Sequence, residues 1–166
     1  MIADNIESLM HEQRRYEPPE EGRERAHIKS IEEYNAIYKR SIEDPDGYWG
    51  ERATELLTWF RPWDTVLEYD FDKPEIKWFA GGKLNATYNC LDRHLTDGRR
   101  NKAALIWQGE DDRDVRTYTY QMLHDDVCRF ANVLRKMGVK KGDRVSLYLP
   151  MIPELAIAML ACARIG

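Results

Sequence analysis

Nine consecutive apolar residues, Leu155 to Ala163, set the strongest constraint on this chain. Pro153 opens the run, Glu154 and Arg164 flank it, and it is far short of the roughly 20 residues a bilayer helix needs. Read as a helix, it has no polar face, and a helix apolar all round needs cover on every side. Just before it, Arg144 to Leu149 reads as a strand, with Gly142-Asp143 as the turn that leads in. A strand followed by a buried helix normally continues, by a right-handed crossover, into another parallel strand. The chain therefore reads as stopping inside a βαβ unit, and the sequence is expected to be the front piece of a larger protein.

The preceding residues fit that α/β start. Ala103 to Gln108 and Val115 to Tyr118, joined by the turn Gly109-Glu110-Asp111-Asp112, predict a β-hairpin. Thr119 is placed to cap a helix in which Leu123, Val127, Phe130, Ala131, Leu134 and Met137 form one stripe, with Gly138 as its left-handed stop.

Further towards the N-terminus the composition changes. Of the first 52 residues, 21 are charged, and this region reads as peripheral and helical. A short helix is expected over 5–16, ended by Pro18-Pro19. A second runs from Glu21 to about Ser41, with Ile31, Tyr34, Tyr38 and Ile42 as one apolar stripe, broken by Asp44-Pro45-Asp46-Gly47. A helix over 48–58 then enters an aromatic-dense stretch that holds Trp49, Trp59, Trp63 and Trp78 and turns at Arg61-Pro62-Trp63-Asp64. With no regular period, these rings read as packing rather than as a sugar or nucleobase platform.

Charge and cysteine content narrow the function classes. A net charge of −4 argues against a dedicated nucleic-acid or anionic-membrane binder. The basic runs Arg99-Arg100 with Lys102, and Lys140-Lys141 near Arg144, read as solvated loops. Cys90, Cys128 and Cys162 have no metal or redox spacing and are expected as reduced, mostly buried thiols. No signal-peptide pattern is present at Met1-Ile2-Ala3-Asp4, so the expected location is cytoplasmic.

The local motifs give no chemistry. Gly81-Gly82-Lys83 lacks the Ser/Thr that a Walker A loop places after its lysine, since Leu84 follows, and it reads as a turn. Asp92-Arg93-His94 resembles a catalytic cluster, but neighbours on a helix point about 100° apart. Asn85, Asn89, Asp92 and Arg93, at helical spacing, are expected to cap a helix or tie it to a neighbour. His11, His27 and His124 stand isolated, and Asp111-Asp112 with Asp114 lacks the glycine and distal glutamate of a Ca²⁺ loop.

Several segments together resemble one family. Ile31-Glu32-Glu33-Tyr34 with Tyr38, Ser41-Ile42-Glu43-Asp44-Pro45 with Trp49, Trp78-Phe79-Ala80-Gly81-Gly82-Lys83-Leu84-Asn85 and Tyr88-Asn89-Cys90-Leu91-Asp92-Arg93-His94-Leu95 look like the N-terminal region of AMP-forming acetyl-CoA synthetases. Gly138-Val139-Lys140-Lys141-Gly142-Asp143-Arg144-Val145 and Met151-Ile152-Pro153-Glu154 through Ala161-Cys162-Ala163-Arg164-Ile165-Gly166 are similar to the wider adenylate-forming superfamily. Asn89-Cys90-Leu91-Asp92 leans towards acetate over propionate.

The resemblance implies an α/β fold: a helical, aromatic-rich wrap, then the first hairpin, strand and helices of a large ATP-binding domain. The expected division is 1–23 as an extension, 24–98 as the synthetase N-terminal region and 99–166 as the start of the AMP-binding domain. It also implies acetate activation with Mg-ATP to acetyl-AMP and transfer to coenzyme A, with the remainder of the synthetase chain as partner and neither nucleic acid nor membrane. The family's phosphate, adenine and coenzyme A motifs lie beyond the matched segments. No catalytic, cofactor-binding or metal residue is therefore assigned within this chain, and ATP, Mg²⁺ and coenzyme A are expected to belong to the full enzyme. The competing reading is a stand-alone, non-catalytic interaction module that uses its aromatic front half; a truncated product without function is a further one.

Overall fold

The computed structural model describes residues 16–166, so the helix expected over 5–16 and His11 lie outside the described residues. The chain divides into two compact units, one up to Tyr48 and one spanning Trp49–Gly166.

In the first unit the helix expected from Glu21 to Ser41 is two helices, α1 (Glu20–Arg25) and α2 (Ile31–Glu43). A reciprocal start signal divides them. The Ser30 hydroxyl accepts the Glu33 N–H at 3.1 Å, while the Glu33 carboxylate accepts the N–H of Lys29 at 2.9 Å, so the chain begins a new helix there. The stripe Ile31, Tyr34, Tyr38 and Ile42 lies on α2 as expected, with the Tyr34 and Tyr38 rings stacked at 6.2 Å. Asp44-Pro45-Asp46-Gly47 ends α2 and starts α3 (Pro45–Leu56). Proline takes the first helical position, where no N–H is needed, and Asp44 accepts the Gly47 N–H at 3.0 Å.

In the second unit, the aromatic-dense stretch contains a hairpin not foreseen from sequence. β1 (Thr65–Asp70) pairs antiparallel with β2 (Glu75–Ala80), with Leu67 opposite Trp78. The rings of Trp59, Trp63 and Phe79 pack on one another with centroids 4.9 to 5.4 Å apart. Trp49 meets Trp78 edge-on at 6.2 Å, so packing is what these rings do.

After the short helix α4 (Ala86–Cys90) and a 3₁₀ turn over Asp92–Leu95, the second hairpin forms as predicted, β3 (Ala103–Gln108) against β4 (Val115–Thr119). Thr119 caps α5 (Tyr120–Lys136) by accepting the Met122 N–H at 3.2 Å. Gly138, at φ +96°, ends it as the Val139 N–H returns to the Leu134 carbonyl. α6 (Pro153–Ile165) follows. Leu123, Val127, Ala131 and Leu134 of α5 meet Ile157 and Ala161 of α6 over Leu91, and this is the core.

Two expectations change in detail. Residues 144–149 pair with no strand: the described sheets are the two hairpins, and this segment stays exposed. A strand is a paired state, and apolar alternation without a neighbour does not create one. α6 is covered on one face only. Ile157, Ala158 and Ala161 are buried, whereas Met159 is 57% exposed.

Candidate functional site

The densest polar constellation in the second unit is built on α4 and the turn after it. Asn85 caps α4 by accepting the Tyr88 N–H at 3.1 Å, and its amide donates to the carbonyls of Ala163 and Arg164 at 3.3 and 3.1 Å. Thr87, fully buried, donates its hydroxyl to the Leu160 carbonyl at 2.7 Å. Asn89 bridges the backbone of Thr58, accepting its N–H at 2.7 Å and donating to its carbonyl at 3.1 Å. Arg93 donates to the Leu56 carbonyl at 2.6 Å. One five-residue helix thus ties the end of α3 and the last turn of α6 together. The tying role expected for Asn85, Asn89, Asp92 and Arg93 is the one they hold.

Asp92 completes the clamp. Both of its oxygens accept from Arg164, at 2.7 Å each, in a bidentate pair across 72 residues of sequence. Burial acts to raise the Asp92 carboxyl, and the hydrogen bonds and charge of Arg164, with the nearby His124, outweigh it and hold it below the usual carboxylate range. His124 Nε2 lies 3.4 Å from Asp92, 3.5 Å from Arg164 and 3.5 Å from the Cys128 sulfur. Burial pushes the Cys128 thiol up, with Asp92 and Asp125 adding to the effect against the charge of Arg164.

His94 sits apart from this group. Its Nδ1 lies 2.7 Å from Asp97, which also takes Arg99 at 2.9 Å, and its ring packs on Tyr120 with centroids 4.9 Å apart. Sequence spacing did not reveal Asp97, His124 or Arg164 as partners. The one available signal was Arg164 as the polar residue that closes the apolar run.

The remaining motifs have structural geometry. Gly81, at φ +78°, holds a backbone conformation that strains any other residue, and a Cβ there would fall 2.1 Å from the Asp64 carboxylate, which would have to move. A Cβ on Gly82 falls 2.7 Å from the Trp59 ring. Lys83 is bridged to Arg61, its N–H reaching the Arg61 carbonyl at 2.9 Å, so Gly81-Gly82-Lys83 is a pinned turn. Asp111 is paired with Arg113 at 2.8 Å on the hairpin tip, and hydrogen bonds from Arg113 hold its carboxyl low. Cys128 and Cys162 are half-buried, but Cys90 is exposed: α4 is a single short turn whose buried residue is Thr87. Among the described residues no group of three His, Cys, Asp or Glu side chains is arranged to hold a metal ion.

The clamp joins two regions that match known proteins separately. Residues 34–90 match the family model described as acetyl-coenzyme A synthetase N-terminus, and residues 91–166 match the AMP-binding enzyme model. Asn85, Thr87 and Asn89 thus belong to the first region, Asp92 and Arg164 to the second. The acetyl-coenzyme A synthetase of Saccharophagus degradans is 56% identical over 151 residues, 91% of this chain and 23% of its own length. That of Leptospira biflexa is 58% identical over 137 residues, 82% of this chain and 21% of its own. That of Chlorobaculum tepidum is 48% identical over 164 residues, 99% of this chain and 24% of its own. The chain therefore spans somewhat under a quarter of the length of these curated relatives. With both family models matched in sequence order and meeting inside one clamp, the chain belongs to the acetyl-coenzyme A synthetases of the AMP-binding enzymes and corresponds to their N-terminal portion.

Proposed function

We propose that this chain serves as the N-terminal scaffold of an enzyme that activates acetate with ATP and passes the acetyl group to coenzyme A. In that reaction an acetate oxygen attacks the α-phosphate of ATP, pyrophosphate leaves, and acetyl-AMP forms. The coenzyme A thiol then attacks the acetyl carbon, and AMP leaves. The observation that carries the reading is identity of about half or more, over nearly all of the chain, to proteins named acetyl-coenzyme A synthetase.

The described polar groups support a scaffolding role. Asp92, Arg164, Asn85, Asn89 and Thr87 spend their hydrogen bonds on one another and on backbone, which leaves them as ties rather than reagents. Division into an extension over 1–23, an N-terminal region over 24–98 and the start of the AMP-binding domain over 99–166 belongs to this reading. So do acetate as the preferred acid, the rest of the synthetase as partner and a cytoplasmic location. No described helix is long and apolar enough to cross a membrane.

Acetate-dependent exchange of pyrophosphate into ATP tests the proposal. The 166-residue chain alone is expected to give none, and the same chain continued by the remaining part of a synthetase is expected to give exchange with a higher kcat/KM for acetate than for propionate. Exchange by the chain alone overturns the scaffold assignment, and none from the joined protein overturns the reaction.

A further inference from the structure

A cavity of about 560 Å³ lies where α5 and α6 both end, and apart from Arg164 its lining cations are not used by the clamp behind it. Arg135, Lys140, Lys141 and Arg164 line it together with the amide of Asn132, and no acidic side chain does. Arg164 is neutralised by Asp92, and in a chain with a net charge of −4 the three remaining cations around one concavity are a local excess. Concave walls focus such a field on whatever enters.

Cations at helix C-termini often serve only to complement the helix dipole and the last free carbonyls. Here those carbonyls are largely taken. On α5 the Val133, Leu134 and Arg135 carbonyls accept from the backbone of Met137, Val139 and Gly138. On α6 the Cys162 carbonyl accepts from Gly166, and those of Ala163 and Arg164 accept from Asn85. Two carboxylates in this region are also engaged: Asp92 is bound to Arg164, and Asp143 accepts the backbone N–H of Lys140 at 2.8 Å. Arg135, Lys140 and Lys141 form no ion pair among the described residues.

We propose that this cavity binds the phosphate group of a small phosphorylated molecule. Its volume falls within the range of about 300 to 1,000 Å³ usual for small-molecule sites. A guanidinium and two flexible ammonium groups suit a tetrahedral dianion, arginine supplying a planar fork and the lysines point charges. Buried Ala131 with Val139 adds apolar wall for the body that carries the phosphate. The site lies on this chain's own residues and does not depend on the acetate-activating reading.

Titration of the 166-residue chain with inorganic pyrophosphate at constant ionic strength, followed by calorimetry and amide NMR, tests it. Saturable binding is expected, with shifts concentrated at residues 135 and 139–142. Combining Arg135→Glu with Lys141→Glu should weaken it by about tenfold or more. Lys140→Gln with Lys141→Gln, confined to the exposed loop, should also weaken it should charge reversal on α5 disturb folding, whereas Arg100→Glu should leave it unchanged. The proposal is overturned by absence of saturable binding, by shifts spread equally over Arg99, Arg100 and Lys102, or by unchanged affinity in both cavity variants. Displacement by sulfate as effective as by pyrophosphate also overturns it, since that marks a general charge patch.

Discussion

Asp92 and Arg164 show how much one pair can decide in a chain of this size. Their side chains are 17% and 27% exposed, so the pair is partly desolvated and doubly hydrogen-bonded rather than a loose surface contact. Asp92→Ala leaves the Arg164 guanidinium without its acceptor and should cost about 1 to 3 kcal/mol in urea unfolding. A double-mutant cycle with Arg164→Ala checks that the loss belongs to the pair: the second substitution should add little once the first is made. The pH dependence has a fixed sign. The Asp92 carboxyl is held low in the folded state, so its contribution is fully present above the unfolded value of about 4 and is lost as pH falls through the folded value. Asp92→Asn should therefore flatten the acid limb of stability below about pH 4, and an unchanged limb refutes the assignment. Gly81 offers a second residue-level case: alanine there meets both a φ of +78° and the Asp64 carboxylate, and should lower stability by more than about 1 kcal/mol.

Elements formed where local signals agreed with packing. α5 has a capping threonine and a terminating glycine used as their chemistry requires, and of its expected stripe Leu123, Val127, Ala131 and Leu134 are buried while Phe130 and Met137 are exposed. Thr119→Ala should cost about 1 kcal/mol by leaving the Met122 N–H without its acceptor, whereas Thr119→Ser should cost little. The division of the front helix was also written locally, in Ser30 and Glu33, although the stripe running past it drew attention away from that start signal. Strands behaved differently. β3 and β4 lie six turn residues apart and were legible, while β1 and β2 were hidden, because a stretch this rich in aromatics has no clean alternation. Residues 144–149 alternate well and remain unpaired. Their amides should exchange with solvent far faster than those of β3 and β4, and comparable protection would show that pairing exists.

At the scale of the molecule, protection should rank by burial. The amides of α5 and α6 around Val127 and Ala161, both fully buried, should exchange slowest, and those of α2, which buries no residue, fastest among the helices longer than ten residues. Family membership was legible in sequence because it is carried by runs of adjacent residues, and the matched regions follow those runs. The candidate site was legible only in part. Asn85, Asn89, Asp92 and Arg93 announced a tie by helical spacing, but nothing local named Thr58, Leu56 or Arg164 as the other end. The sequence by itself determined the helices, their caps, the second hairpin and the α/β class, since these rest on interactions within a few residues. Only the tertiary structure decided which polar groups meet, that α6 has one covered face, and that Arg135, Lys140 and Lys141 converge on one cavity. Those are contacts between residues many positions apart, and their energy depends on distances that no local pattern encodes.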